Sequence, residues 1–275
     1  MTIRLALLIV GLLALAACGG SKTRGDGPPS GSVRIPDLPE DAVPRREPRS
    51  KYGNGPVYEV LGKRYTVMPS SNGYQERGVA SWYGTKFHGN LTSNREVYDM
   101  YEMTAAHKTL PLPTYVRVRN LQNDKTVIVR VNDRGPFVHN RIIDLSYAAA
   151  ARLDMIGDGT SMVEVTAINV ETKAQDRPVR STTPTLPPED AGSGPAHSHT
   201  IYVQVGAFGE RANAERRLGA LSMAGIGNAF IHEESASGRT LYRVRIGPVA
   251  DVVQYDVLVE QLENIGITDP YLISD

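Results

Sequence analysis

The sequence predicts two small domains carried on tethers: a mainly β domain closed as a small barrel and, after it, an α+β domain of βαββαβ order. Three observations lead to that reading. Of the 18 prolines, seven lie between Cys18 and Val57 and five between Lys173 and His199, which marks both stretches as linkers. Between Tyr74 and Glu171 the chain runs in short alternating segments separated by turn residues. Residues 200–275 repeat themselves at an offset of 41. With 275 residues and 41% hydrophobic content the chain can fill two cores of ordinary size, since domains commonly run to about 100–150 residues.

Residues 1–17 read as a signal peptide. A short positive start precedes an apolar run over 5–16, interrupted only by Gly11, and Leu15-Ala16-Ala17-Cys18 follows. The run falls short of the roughly 20 residues that cross a bilayer. Cys18, the single cysteine of the chain, resembles the lipidation site of bacterial lipoproteins; an ordinary secretory signal with an incidental cysteine is the alternative. The resemblance implies acyl chains on Cys18, each buried methylene contributing about 0.8 kcal/mol of membrane attachment. Gly19 in place of Asp implies the outer membrane, on its periplasmic face. With Cys18 consumed, no disulfide is expected. Residues 18–74 then read as a lipidated, proline-rich tether.

Residues 75–172 read as the barrel. Segments 79–83, 115–121, 126–131 and 163–168 alternate as strands do, and one alanine-rich helix is expected from Asp144 or Ser146 through Leu153. Several polar residues here suit chemistry. Glu96 and Asp99 lie three apart, His107 follows, and Asp133 sits in Val131-Asn132-Asp133-Arg134-Gly135-Pro136-Phe137, a hydrophobic strand running into a turn. A carboxyl held at such a junction is partly desolvated, which raises its pKa and suits it to donate a proton to a glycosidic oxygen. Each residue also has a plainer reading: Asp133 as a turn cap, Glu96 and Asp99 as a solvated pair, His107 as a hydrogen-bonded structural histidine. Trp82 and Tyr83 suit stacking on sugar rings or, alternatively, the core.

Ala80-Ser81-Trp82-Tyr83-Gly84, Phe87-His88-Gly89, Tyr98-Asp99-Met100, Thr104-Ala105-Ala106-His107 and the segment around Asp133 closely resemble the rare lipoprotein A (RlpA) family. The resemblance implies a double-psi β-barrel, shared with expansins. It also implies lytic transglycosylase activity on peptide-free glycan strands, in which the muramyl C6 hydroxyl attacks C1 and no water is consumed. On that basis Asp133 is expected to act as acid and then base, and Glu96, Asp99 and His107 to polarise, orient and bind the sugar. The family commonly has Gly where this chain has Arg95. If that position takes positive φ, Arg95 strains the loop beside Glu96.

In the C-terminal domain, Val203, Val205 and Gly206 recur as Val244, Ile246 and Gly247, while Leu221, Gly225 and Ile226 recur as Leu262, Gly266 and Ile267. Each half therefore reads strand, helix, strand, with both helices on one face of a four-stranded sheet. Ile201-Tyr202-Val203-Gln204-Val205-Gly206-Ala207-Phe208 and Tyr242-Arg243-Val244-Arg245-Ile246-Gly247-Pro248 resemble the SPOR domain. That resemblance implies binding of denuded septal peptidoglycan, with Gln204, Arg243 and Arg245 on the open face as expected glycan contacts. A solvated face is the alternative for any one arginine.

Lysine and arginine total 30 against 30 aspartates and glutamates, so no net field favours nucleic acid. No cofactor or metal is expected, and the chain is expected to be a monomer whose partners are glycan strands, the membrane through Cys18 and divisome proteins. A non-catalytic, expansin-like glycan binder or wall tether is the competing function.

Overall fold

The computed structural model describes residues 26–29, 39–170, 200–236, 239–268 and 270–274. The signal peptide, Cys18 and the linker expected over 173–199 lie outside them. Six strands close a barrel: β3 (Gln75–Tyr83), β4 (Thr104–His107), β5 (Thr114–Asn120), β6 (Thr126–Asp133), β7 (Ile143–Ser146) and β8 (Thr160–Ala167), in the order β3-β7-β4-β6-β5-β8. Two neighbouring pairs, β3 with β7 and β4 with β6, are parallel, and the other pairs are antiparallel. β-branched strand residues fill the interior, including Val116, Val118, Val127, Val129, Val131 and Val165, each wholly buried. Helix α1 (Tyr147–Arg152) begins at Ser146, whose side chain accepts from Ala149 N at 3.2 Å, so Ser146 rather than Asp144 is the cap.

The expected tether over 18–74 is corrected for residues 39–74, which pack on the barrel. Ala42 N donates to Ile128 O at 3.0 Å, Ser50 N to Leu112 O at 2.9 Å and Met68 N to Thr109 O at 2.7 Å. A hairpin, β1 (Val57–Val60) and β2 (Lys63–Thr66), turns at Leu61 and Gly62. Both turn residues have positive φ, 50° and 75°, as a two-residue hairpin loop of this hand requires. The prolines do not extend the segment; Pro56 closes the base of the hairpin, its carbonyl accepting from Val67 N at 3.0 Å.

The C-terminal domain follows the expected βαββαβ order: β9 (Ile201–Phe208), α2 (Arg211–Met223), β10 (Ala229–Ala236), β11 (Arg239–Ile246), α3 (Val252–Asn264) and β12 (Tyr271–Ser274). The sheet order is β10-β11-β9-β12. Val203, Val205, Val244 and Ile246 pack with Leu221 of α2 and Leu258 and Leu262 of α3. Asp251 caps α3, its carboxylate accepting from Gln254 N at 2.8 Å. Among the described residues no helix is long and apolar enough to cross a membrane.

Candidate active site

Strand register assembles the site. Ser81 pairs with Asp144, Asp144 with Ala106, and Ala106 with Asp133, so these four residues form one row across β3, β7, β4 and β6. Their neighbours Ala80, Ala105, Val131, Ile143 and Leu145 fill the barrel, so alternation turns the row outward. The loop over 84–103 folds against this outer face, where Tyr83, Tyr98, Met100, Ala106 and Tyr147 form a small apolar cluster.

Asp133 stands at a bulge. Ala105 pairs with Val131 and Ala106 with Asp133, which leaves Asn132 as the extra residue and bends β6 at its end. Asp133 is half-buried, and its Oδ1 accepts from Ser93 N (2.7 Å), Ser93 Oγ (2.6 Å) and Arg134 N (2.7 Å). The loop that holds it also carries Glu96. The Glu96 carboxylate takes two bonds from Arg130, at 2.6 and 2.9 Å, and one from Asn132 Nδ2 at 2.9 Å. Burial pushes that carboxyl up, but the bonds from Arg130 and Asn132 outweigh it and hold Glu96 below the usual carboxylate range. Arg130 also binds Glu47 from the N-terminal segment, at 2.8 and 3.0 Å. The Arg130 bond is the main cause that lowers the Glu47 carboxyl to about 2.

Arg95 has φ 75°, the left-handed region that favours glycine. The strain does not displace Glu96. Arg95 N bonds Thr92 O at 2.9 Å, Thr92 N bonds Glu96 O at 2.8 Å, and the guanidinium lies 5.4 Å from the Tyr52 ring centre.

His107 is 3% exposed. Its Nδ1 accepts from Thr109 N at 3.2 Å and Leu110 N at 3.0 Å, so the proton sits on Nε2, 2.8 Å from Tyr74 Oη. Tyr74 in turn donates to Glu76 at 2.6 Å. Burial lowers the imidazole to about 3, so the ring is neutral. Both ring nitrogens are engaged inside the protein, and the turn that His107 holds presents two carbonyls, His107 O and Leu110 O, which accept from Arg134 Nη1 at 3.0 and 2.6 Å.

Asp99 is also placed apart from the row. It is half-exposed, caps its own turn by accepting from Tyr101 N at 2.9 Å, and faces His88 at 3.6 Å. Trp82 and Tyr83 both pack against other aromatic rings. Tyr83 is buried and stacks on Tyr98 at 4.1 Å, and half-buried Trp82 sets its edge against Tyr147 at 5.8 Å.

Asp144 is the residue sequence reasoning missed. Burial raises its carboxyl above the usual range, against the hydrogen bond it accepts from Ser81 Oγ. Small residues keep the space between the two aspartates open. Ala106 lies between them, and a methyl built on Gly135 would come within 3.7 Å of both Ala106 Cβ and Asp144 Oδ2.

Two family models match this chain: lytic transglycolase over residues 75–165 and SPOR domain over 198–274. A protein of Pseudomonas aeruginosa named endolytic peptidoglycan transglycosylase RlpA is 36% identical over 294 residues, covering 92% of this chain and 85% of that one. This chain belongs to the RlpA family. A Vibrio cholerae member under the same name is 48% identical over 181 residues, 64% of this chain and 67% of its own. The crystal structure of the RlpA SPOR domain from Pseudomonas aeruginosa is 27% identical, covering 26% of this chain and 96% of that one at a TM-score of 0.25.

In this RlpA-family chain the SPOR sheet also carries a row. Phe230, Arg245, Gln204 and Tyr271 are successive partners across β10, β11, β9 and β12. Gln204, Arg243 and Arg245 lie on the face away from the helices, as expected, but that face is less open than expected. Gln204 is 1% exposed and donates to Tyr271 Oη, Arg245 is 8% exposed, and Arg243 pairs with Glu234. Two aromatic side chains also reach the surface of that face: Tyr202, edge-on to Phe230 at 5.5 Å, and Tyr271. Alternation of Tyr202 with Val203 places the first of them there.

Proposed function

We propose that this RlpA-family chain is an endolytic lytic transglycosylase that cleaves the β-1,4 bond from MurNAc to GlcNAc in peptide-free peptidoglycan strands. The observation that carries this is a pair of aspartates in one strand row with opposed surroundings. Burial raises the Asp144 carboxyl above its usual range, the direction that suits a proton donor, while Asp133 Oδ1 accepts from three donors.

The acid and base roles first expected of Asp133 alone divide between the two. Asp144 donates its proton to the glycosidic oxygen as the bond from C1 breaks. The muramyl C6 hydroxyl attacks C1, its proton passes to Asp133, and the new bond from C1 to O6 leaves a 1,6-anhydro end. One bond breaks, one forms and water takes no part. Glu96, ionised, holds Asn132 and Arg130 and so sets the bulge; His107 fixes Arg134 and through it the turn beyond Asp133. Asp99 acts at the rim with His88. The SPOR domain binds denuded strands through Tyr202, Arg243 and Tyr271, with Gln204 and Arg245 supporting them, and brings the barrel to septal wall. Lipid on Cys18 tethers the chain to the outer membrane, on its periplasmic side, which keeps the site within reach of peptidoglycan.

The test is mass spectrometry of denuded strands digested with the purified chain lacking residues 1–18. Anhydromuramyl ends are expected from the parent, and at least a hundredfold less from both Asp144→Asn and Asp133→Asn. Full product from Asp144→Asn removes it as the proton donor, and an absence of anhydro ends from the parent sinks the activity.

A further inference from the structure

We propose that the β1–β2 hairpin and Phe137 form an aromatic subsite that stacks a sugar ring of the glycan strand beside the cleavage point. The proposal rests on the transglycosylase reading for its ligand, and on the geometry of the N-terminal segment for its location. That segment precedes residues 75–165, the part matched by the transglycolase model, so the matched region does not include it.

A cleft of about 390 Å³ opens between the hairpin and the barrel, lined by Gly53, Tyr58, Val60, Ser93, Arg134 and Phe137. Cavities of this order and above accept small ligands. Ser93 is the residue whose amide and hydroxyl hold Asp133 Oδ1, and Phe137 lies four residues beyond Asp133 in the same turn. Ser93 therefore joins the cleft to the Asp133 end of the row.

Two aromatic rings, Tyr58 and Phe137, line the cleft, 6.4 Å apart, and Tyr65 backs them, stacked on Tyr58 at 5.2 Å with an interplanar angle of 22° and 5.6 Å from Phe137. None of the three belongs to a buried core cluster, and all are half-buried. Tyr58 anchors the hairpin through its hydroxyl, which donates to Lys108 O at 2.7 Å, and the segment before it is held by Arg134 Nε to Gly53 O at 2.9 Å and Asn54 Nδ2 to Leu112 O at 2.7 Å. A pyranose ring presents one apolar C–H face and a rim of hydroxyls, which suits a flat aromatic wall bordered by polar groups such as Ser93 and the Arg134 guanidinium, 5.7 Å from the Tyr58 ring.

Binding of denuded glycan strands is measured with Asp144→Asn and Arg245→Gln together as the background, so that no turnover is needed and capture by the SPOR sheet is weakened. Adding Tyr58→Ala or Phe137→Ala is expected to weaken binding about tenfold further, the scale of one aromatic contact. Phe137→Leu keeps apolar bulk without a flat face and loses as much, whereas Phe137→Trp retains binding. In the active parent, Phe137→Ala raises KM about tenfold and leaves kcat within about twofold. Unchanged binding in both alanine variants overturns the subsite, as does full binding by Phe137→Leu. If the parent yields no anhydro ends but the same aromatic variants lose binding, the activity falls and the subsite stands.

Discussion

In the barrel, a row across four strands carries Ser81, Asp144, Ala106 and Asp133; in the SPOR sheet, a row across four strands carries Phe230, Arg245, Gln204 and Tyr271. The two rows share an architecture and differ in what burial does to them. Removing water from Asp144 raises its carboxyl, the direction that favours holding a proton. Removing water from Arg245 and Gln204 fixes donors in place and leaves nothing to transfer, since a guanidinium and an amide hold their protons at any working pH. One row can do chemistry and the other can only recognise.

The sharpest way to break the comparison is to exchange the losses. Asp144→Asn is expected to cut turnover by about 10²–10⁴-fold with strand capture unchanged, while Arg245→Gln weakens capture about tenfold and leaves kcat at saturating strand alone. Capture is read by pull-down on denuded sacculi, turnover by anhydro-end release, and folding by the melting temperature of each variant. Loss of kcat in Arg245→Gln would mean that the rows are not separate.

A second measurement sharpens what burial does to a titrating group that is only structural. His107 is lowered to about 3, so below about 6.5 the unfolded imidazole binds a proton that the folded site refuses. The stabilisation is complete above that pH and is lost as pH falls towards about 3, at a slope of about 1.4 kcal/mol per pH unit. His107→Gln should cost about 1–3 kcal/mol at neutral pH and reduce the slope between pH 6 and 4 by one proton. Urea titrations across that range check it; an unaltered slope would mean that the histidine is not the buried neutral group.

The smallest effect concerns backbone. Arg95→Gly relieves a left-handed residue but gives up the Tyr52 contact, so a gain within about 1 kcal/mol is expected, with turnover unchanged. A loss of stability by calorimetry would show that the contact with Tyr52 outweighs the strain.

Much of the fold was legible because its signals are local. Alternation in 126–131 and 163–168, alanines before Leu153 and the 41-residue offset each describe a few residues at a time. The hairpin was equally local and was passed over: Val57-Tyr58-Glu59-Val60 and Lys63-Arg64-Tyr65-Thr66 flank Leu61-Gly62, but nearby prolines suggested a linker. Of the site, Asp133 and Glu96 were visible through their motifs, and the structure links them through Ser93 and Asn132. Asp144 was not, because its burial comes from pairing with Ser81, 63 positions away in sequence, across a parallel ladder that no local pattern announces. For His107, the two occupied nitrogens accord with the plainer reading of a hydrogen-bonded structural histidine.

Because a single strand, β4, separates Asp144 from Asp133, the spacing of their backbones is two ladder steps, about 9–10 Å. That gauge is built from peptide hydrogen bonds, not from rotamers or loops. Surrounding loops can therefore lengthen, shorten or change composition while the two backbones keep that spacing.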